Sequence, residues 1–148
     1  KYKNADRLNY AVAGTPNRLE YDQGFFVKQG DGAADVKPIA HLYKTQVYRL
    51  ADQLGVPETI RSRPPTTDTY SLPQSQEEFY FSLPWDKMDL CLYGRTEGLL
   101  PEAIADAVGL SVEDVGRVYG DIDAKRRVAG VLHLGPQLVV DDPGFDRH

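Results

Sequence analysis

The sequence predicts a helix-rich α/β fold: the C-terminal part of a doubly wound parallel-sheet domain that lacks its first strands. Three observations lead to this prediction. One short apolar run at 8–14 (LNYAVAG) ends at a glycine, as a buried parallel strand often does. Apolar residues recur at helical spacing over much of the remaining chain. With one confident strand, the chain matches what remains of such a sheet when its first strands are absent.

Loops are predicted directly after the strand. The GTPNRLE segment at 14–20 follows the strand end, where ligands gather in open α/β sheets. Residues 22–37 contain three glycines and no helical period, so a loop is expected there, with a short strand at 25–28.

The clearest helix is predicted at 39–54, because its apolar residues follow the i, i+3, i+4 pattern. Pro38 suits its first turn and Gly55 suits its C′ position. A single short helix is predicted at 57–61.

The rest of the chain is predicted to alternate loops and helices. The segments are a loop at 63–76, a helix at 84–93 that stops at Gly94, helices at 101–108 and 112–128, and a disordered polar tail at 141–148. Ser111 is the predicted N-cap of the last helix, with Glu113 and Asp114 in its first turn. One domain is therefore expected at 1–140, followed by the tail.

Composition excludes several classes of protein. The 148 residues are 41% hydrophobic and 26% charged, as in ordinary globular proteins. A net charge of −5 argues against an extended nucleic-acid interface. The single cysteine, Cys91, excludes an intrachain disulfide and is predicted to lie in the core. No signal peptide and no apolar run near ~18 residues is visible, so a cytoplasmic protein without a membrane span is expected.

Residues 14–44 (GTPNRLEYDQGFFVKQGDGAADVKPIAHLYK) contain the chemistry of a nucleotide and metal site. Glycines let backbone N–H groups approach phosphates, carboxylates hold a divalent cation or ribose hydroxyls, and ammonium groups neutralise phosphate charge. The concentration of these residue types in about thirty positions makes a ligand site the leading hypothesis.

The order of these motifs resembles the C-terminal portion of ammonia-dependent NAD synthetases, which belong to the ATP-pyrophosphatase group. The resemblance is carried by GTPNRLE, by GFFVKQGDGAAD and by a lysine nine residues later. It continues through RPPTTD at 63–68, LPWDKMDLCLYG at 83–94 and the Lys125–Arg126 pair, and so spans roughly residues 8 to 127. An adenine nucleotide alpha hydrolase-like fold is implied.

The resemblance implies an ATP and metal subsite. Thr15, Lys44 and Thr66 match positions that contact ATP, and Glu20 matches a Mg²⁺ ligand. Mg²⁺ prefers hard oxygen ligands and shares its coordination shell with substrate phosphates and water, which suits a single glutamate.

A second subsite, for deamido-NAD, is implied around the GDGAAD turn. Lys28 and Asp35 match substrate-contacting positions, since a lysine suits an anionic group and a carboxylate accepts from ribose or amide donors. Gly30 and Gly32 are expected to allow positive φ and close backbone approach. Asp31 is expected to bond nearby N–H groups and so help to fold the turn.

The third implied deamido-NAD contact is Lys125. The family commonly has His-Lys at this position, whereas this chain has Ala124 before the lysine. The histidine's substrate contact, or its orienting hydrogen bond, is therefore absent.

The implied reaction is the ATP-dependent amidation of deamido-NAD by ammonia, through an acyl-adenylate, with release of AMP and pyrophosphate. No catalytic side chain is required and none is evident. A homodimer is implied, with ammonia either free or supplied by a partner. The family's SGGxDS phosphate-binding loop does not occur in these 148 residues. A fragment that is inactive alone is therefore expected.

Three alternatives remain at this point. One is another ATP-pyrophosphatase amide ligase, and another is a structural fragment without activity. The third is a helix-turn-helix DNA-binding module at 104–119 (IADAVGLSVEDVGRVY). Glu113 and Asp114 would open its recognition helix and repel DNA phosphates, which disfavours this third interpretation.

Overall fold

The structure, a computed structural model, describes residues 1–63, 65 and 80–137. Its helices are α1 (Tyr2–Leu8), α2 (Arg18–Gln23), α3 (Lys44–Gln53), α4 (Glu58–Arg61), α5 (Trp85–Thr96), α6 (Pro101–Val108) and α7 (Val112–His133). A single parallel β-bridge joins Ala13 to Val36. In these described residues, no helix has both the length and the apolarity needed to cross a membrane.

Helix α5 lies at the centre of the core and contacts α2, α3, α6 and α7. The core side chains are Leu19, Phe81, Met88, Cys91, Leu92, Ile104, Ala105, Val108, Val115, Tyr119 and Ile122. Burying a side chain the size of Leu92 contributes roughly 1.5–3 kcal/mol, so this cluster holds α2, α6 and α7 against α5. Tyr43, the N-cap residue of α3, packs against the same cluster.

Helix α2 is short but is anchored from two sides. Leu19 is fully buried in the core. Asp22 accepts two hydrogen bonds from Arg126 of α7, at 2.6 and 2.9 Å. The Tyr80 hydroxyl donates to the carbonyl of Gln23 at 2.7 Å. These contacts give six residues a fixed orientation that their own helix propensity would not provide.

The strand predicted at 8–14 is wrong in its first part. Leu8 is the last residue of α1, a helix that was not predicted from the sequence. Tyr2, Ala5 and Leu8 do recur at helical spacing, and Ala5 is buried. Of the remaining residues, Ala13 makes the isolated parallel bridge to Val36. This bridge is the only β pairing in the described part of the chain, so the wider sheet stays a prediction.

The short strand predicted at 25–28 is also wrong. The N–H of Val27 donates to the carboxylate of Asp31 at 2.8 Å, and its carbonyl accepts from Gly30 and Gly32. Both backbone groups of Val27 are therefore used within a tight turn, which leaves none of them for pairing with a neighbouring strand.

The helix predicted at 39–54 is confirmed, but it begins at Lys44 rather than at residue 39. The carbonyl of Leu42 accepts the N–H of Arg18 at 2.8 Å, so it is directed to α2 instead of to the next turn of α3. Gly55 follows the C-cap with φ of 69°, as its predicted C′ position requires.

The other helices agree with prediction more closely. The helices at 57–61 and 101–108 are confirmed to within one residue, and Ser111 caps α7 by accepting the N–H of Asp114. Helix α7 continues to His133, beyond the predicted 128. The tail at 141–148 and most of the loop at 63–76 lie outside the described residues.

Gly94 does not end α5 as predicted, because the helix continues to Thr96. The residue is buried where α5 meets α6 and α7. A Cβ atom on Gly94 would lie 2.4 Å from the Tyr119 hydroxyl and 2.9 Å from Cδ1 of Ile104. Glycine is thus required here for close helix packing rather than for a turn.

We expect Gly94→Ala to lower the free energy of unfolding by about 1–3 kcal/mol, because Tyr119 and Ile104 must move to accept the methyl group. Gly116→Ala in α7 is the matched control, since a Cβ there meets no atom within 4 Å. It should stabilise the helix by about 0.5–1 kcal/mol. Urea denaturation of both variants tests this, and equal shifts in the same direction would contradict it.

A second prediction concerns Cys91, whose burial raises the pKa of its thiol from 9.0 to about 11. Below pH 9 both the folded and unfolded states keep the thiol proton. As the pH rises toward 11, the unfolded chain releases it first, so stability is lost. We expect the free energy of unfolding of the wild type to fall relative to that of Cys91→Ala by about 2–3 kcal/mol between pH 8 and pH 11. Parallel pH curves for the two proteins would refute this.

Candidate nucleotide and metal site

The site is built on the first turn of α2, where Asn17 and Glu20 form a reciprocal capping pair. The side chain of Asn17 accepts the N–H of Glu20 at 3.1 Å. Glu20 Oε2 accepts the N–H of Asn17 at 3.1 Å. The carboxylate is therefore held in one orientation while its second oxygen, Oε1, points away from the cap.

Lys44 lies opposite that second oxygen. Its Nζ is 3.6 Å from Glu20 Oε1, and the lysine side chain is only 9% exposed against 18% for the glutamate. The two residues are 24 positions apart, and the sequence assigned them to phosphate and metal separately. The structure places them side by side, at the start of α3 and the start of α2.

Thr15 and Thr66 are the other two predicted ATP contacts. Thr15 is exposed in the segment between the β-bridge and α2. Gly14, just before it, donates its N–H to Val36, and a Cβ on Gly14 would lie 2.7 Å from that of Ala34. The backbone beside Thr15 is thus tightly packed. Thr66 lies outside the described residues.

Asp35 is held beside the bridge. Its Oδ2 accepts the N–H of Val12 at 2.7 Å, and its own N–H donates to the Val12 carbonyl at 2.9 Å. Its Oδ1 accepts the Tyr2 hydroxyl at 3.1 Å. The carboxylate therefore joins α1 to the bridge and remains exposed on one side, where lone pairs are still accessible.

Lys28 contacts the C-terminal end of α7. Its ammonium donates to the carbonyls of Val131 at 3.1 Å and Leu134 at 2.5 Å. The ring of His133 packs 4.5 Å from that of Tyr21 and 5.5 Å from that of Phe26. The lysine donates to carbonyls at the C-terminal end of α7, as basic side chains often do, and so holds that end of α7 against this loop.

Lys125 is likewise engaged. Its ammonium donates to the Tyr80 carbonyl at 2.6 Å and pairs with Asp121 at 2.7 Å. It also lies 4.4 Å from the centroid of the Tyr80 ring. The lysine fixes Tyr80 against α7. The structure thus brings Glu20 and Lys44 together, while Lys28 contacts carbonyls at the C-terminal end of α7 and Lys125, within α7, contacts the Tyr80 carbonyl.

The glycines of the GDGAAD turn were predicted to allow positive φ, but the structure requires glycine there for close packing instead. Neither Gly30 nor Gly32 has positive φ. A Cβ on Gly32 would lie 2.3 Å from the Phe26 ring, so close packing requires that glycine. Asp31 does bond the Val27 N–H, as predicted.

Two residues that support the site were not singled out from the sequence. Asn17 carries a local signal, because Asn followed three positions later by Glu is a capping pattern. Asp89 carries no such signal. It is buried in α5 and reaches α3, 44 positions earlier, by accepting the N–H of Thr45 at 2.7 Å.

The carboxylate oxygen available to a metal here is Glu20 Oε1, which is not used in the cap and pairs with Lys44. In the described part of the chain, no group of three or more His, Cys, Asp or Glu side chains is arranged to hold an ion. Mg²⁺ commonly binds through one or two carboxylates and completes its shell with phosphate oxygens and water. Glu20 Oε1 therefore fits Mg²⁺ that arrives with a nucleotide, and does not fit a metal cage built by protein alone.

A family model described as NAD synthase matches residues 1–127. The chain belongs to the NAD synthase family. This is a ligase family, in agreement with the resemblance found in the motifs. The match includes all the candidate site residues.

Individual relatives agree. The NH(3)-dependent NAD(+) synthetase of Rhizobium meliloti (strain 1021) is 70% identical over 139 residues, covering 94% of this chain and 42% of that protein. The protein of the same description from Thermotoga maritima is 45% identical over 126 residues, covering 85% of this chain and 43% of that protein. The chain thus spans less than half the length of these curated relatives.

Solved structures show the same fold. A structure of NMN synthetase from Francisella tularensis superposes with a TM-score of 0.68 at 25% identity, over 95% of this chain and 51% of that one. The NH3-dependent NAD synthetase from Campylobacter jejuni gives 0.65 at 19% identity, over 94% and 49%, and indicates fold alone. These similarities are consistent with the predicted α/β nucleotide-hydrolase-like class.

We expect Asn17→Ala to lower the free energy of unfolding by about 1 kcal/mol, because it removes the cap of α2 at a buried position. Asn17→Ser is the matched control, since serine also caps well and should remain within about 0.5 kcal/mol of wild type. Chemical denaturation measures both. An alanine variant as stable as the serine variant would show that the capping pair contributes nothing.

Proposed function

We propose that this chain forms part of the active site of an enzyme that uses ATP and ammonia to convert deamido-NAD to NAD. Within the NAD synthase family, the observation that carries the proposal is the Glu20–Lys44 pair. A carboxylate for Mg²⁺ and an ammonium for phosphate lie 3.6 Å apart at the starts of two helices. Such a pair suits MgATP, whose cation binds carboxylate oxygens and whose phosphates bind ammonium groups.

At the ATP end, Lys44 neutralises phosphate charge. Its side chain is nearly buried, so its interaction with an anion is screened less than that of a surface lysine. When nucleotide binds, the ammonium exchanges its partner, Glu20, for a phosphate oxygen. Thr15 and Thr66 contribute hydroxyl donors to the same ligand.

Glu20 would hold Mg²⁺ through Oε1, the oxygen that is not used in the cap. The ion supplies neutralising charge for the pyrophosphate that leaves. The chain's own contribution is to keep the carboxylate oriented through Asn17, so that little reorganisation is needed when the nucleotide arrives.

At the dinucleotide end, we assign Lys28, Asp35 and Lys125 to deamido-NAD. Support comes from their positions in the family motifs and from the exposed face of Asp35. Lys28 must exchange the carbonyls of Val131 and Leu134 for an anionic group of the substrate. Binding at Lys28 is therefore coupled to the position of the α7 end.

The proposed reaction has two steps. A carboxylate oxygen of deamido-NAD attacks the α-phosphorus of ATP, and the bond from that phosphorus to pyrophosphate breaks. Ammonia then attacks the acyl carbon, the bond to AMP breaks, and the nitrogen releases a proton to form the amide. The chain's residues bind, orient and neutralise, and none is needed as a nucleophile. Cys91 is unsuitable as one, because burial raises its pKa to about 11.

The proposal extends to assembly and location. A homodimer in the cytoplasm is proposed, with ATP as cosubstrate and Mg²⁺ as cofactor. Because the chain spans less than half of its curated relatives, we propose that it supplies one part of the site. The remaining phosphate contacts then come from sequence of the SGGxDS type, which these 148 residues do not contain.

A second candidate substrate is the corresponding mononucleotide, which the structural similarity to an NMN synthetase favours. DNA binding is disfavoured. The 104–119 segment contributes four side chains to the core: Ile104, Val108, Val115 and Tyr119. The first turn of α7, within this segment, carries acidic residues. Hydrogen bonding from Ser111 lowers the pKa of Asp114, which keeps that carboxylate charged.

The test is a chimera in which this chain replaces the matched 139-residue segment of the Rhizobium meliloti synthetase. We expect it to form NAD from deamido-NAD, ATP and ammonia, because the motif residues are retained. Lys44→Met should lower kcat/KM about 100-fold, since one charge contact to the leaving group is lost. Lys3→Met, which removes an exposed lysine on α1, is the control and should leave turnover unchanged.

Two outcomes would overturn the proposal. One is a folded chimera that does not turn over deamido-NAD while the parent synthetase does. The other is a chimera that prefers nicotinate mononucleotide, which would move the assignment to the second candidate. Calorimetric titration of the 148-residue chain with deamido-NAD, with and without MgATP, then shows how much of the binding the chain provides alone.

A further inference from the structure

Asp89 is a buried carboxylate that the proposed chemistry does not use. It lies in α5 and is 4% exposed. Its Oδ2 accepts the backbone N–H of Thr45 at 2.7 Å. Thr45 is the second residue of α3, so the carboxylate binds the positive end of a ten-residue helix from outside that helix.

Helix α3 depends on this contact for capping. Its N-cap residue is Tyr43, whose side chain makes no capping hydrogen bond. The Gln46 side chain accepts the N–H of Tyr43 at 2.9 Å, which restrains the N-cap backbone but leaves the next amides of the first turn to other acceptors. Asp89 supplies the acceptor for Thr45.

Lys44 lies between these two fixed residues. It is the first residue of α3, and its side chain runs through a nearly buried position to reach Glu20. The peptide plane that carries the Thr45 N–H also contains the Cα atom of Lys44, and the helical backbone torsions of Lys44 then set the direction of its side chain. The position of its ammonium depends on that direction.

We propose that Asp89 is a positioning residue for Lys44, holding the start of α3 so that the lysine ammonium remains beside Glu20 where the ATP phosphates bind. The proposal rests on the proposed role of Lys44 in binding ATP. Asp89 does not touch the nucleotide, and it acts through the backbone of α3.

The electrostatics agree with this geometry. Burial raises the pKa of Asp89, and hydrogen bonds from Thr45 and from the backbone of Lys44, together with the lysine charge, oppose that rise. A buried carboxylate is costly unless such donors and an opposite charge are present. The charged form of Asp89 is therefore stable between α3 and α5 only while the first turn of α3 keeps its N–H groups directed at the carboxylate.

The first experiment uses the chimera described above with Asp89→Asn, which keeps the size of the side chain but replaces the carboxylate by a neutral amide. The amide is a weaker acceptor for the Thr45 N–H and lacks the charge that favours the positive end of α3. We expect KM for ATP to rise about tenfold while KM for deamido-NAD is unchanged, because only Lys44 is displaced. In a Lys44→Met background, Asp89→Asn should change KM for ATP by less than about twofold, since the residue through which it acts is gone.

Asp123→Asn is the matched control. Asp123 pairs with Arg95 at 2.7 Å and links α7 to α5 without contacting α3. It should affect stability alone and leave both KM values unchanged. An Asp89→Asn variant that raises both KM values equally, or that adds its full effect in the Lys44→Met background, would show a purely structural role and overturn the proposal.

The second experiment does not require activity. In the 148-residue chain, NMR should detect NOEs between the side chains of Lys44 and Glu20 that disappear in Asp89→Asn and persist in Asp123→Asn. If the Lys44–Glu20 NOEs persist in both variants, the proposal is overturned. A chimera that fails to amidate deamido-NAD would count against the proposed function instead. If Asp89→Asn does not fold, the smaller Asp89→Ser is used with the same criteria.

Discussion

The close packing around one face of α5 is the constraint on which the rest of the structure depends. Met88, Cys91 and Leu92 are buried on this face, and Gly94 lets α6 and α7 approach closer than any side chain would allow. Because protein interiors are packed at nearly crystalline density, the four helices that surround α5 have little freedom to shift. The positions of the starts of α2 and α3, and hence of the candidate site, follow from this core.

The Glu20–Lys44 pair shows how the site is prepared before any ligand binds. Each charge is partly removed from water and is offset by the other. The glutamate is also the reciprocal partner of Asn17, so the carboxylate that caps the start of α2 is the one proposed to bind the metal. In the proposed function, a nucleotide with its cation would replace this one charge contact by two without leaving either charge unpaired, which would keep the desolvation cost of binding low.

Helix α7 organises the opposite side of the molecule. Lys125 and Arg126 connect it to Tyr80 and to Asp22 of α2, while its C-terminal carbonyls bind Lys28. Two of the three residues assigned to deamido-NAD therefore hold α7 in place in this structure. Under the proposed assignments, substrate binding at this end requires an exchange of contacts, whereas Glu20 and Lys44, assigned to MgATP, already lie side by side. The two ends of the site thus differ in how far they are preorganised.

Much of this could be predicted from local patterns. The order and spacing of GTPNRLE and GFFVKQGDGAAD indicated the family, since such motifs are read directly along the chain. The helix at 101–108 and its capped successor were predictable because proline, glycine and serine act on their immediate neighbours. The first turn of α2 could have been predicted as well, from the Asn17–Glu20 capping pattern.

Other features were decided by contacts between residues distant in sequence. Helix α3 starts at Lys44 and not at the predicted residue 39, because the Leu42 carbonyl accepts the N–H of Arg18. No local sequence pattern predicts that hydrogen bond. The helix-ending signal of Gly94 was overridden by packing against Tyr119. Sequence motifs could name the residues of the site, but the Glu20–Lys44 contact required the core to bring the starts of two helices together, because a charge pair forms only where packing places both partners.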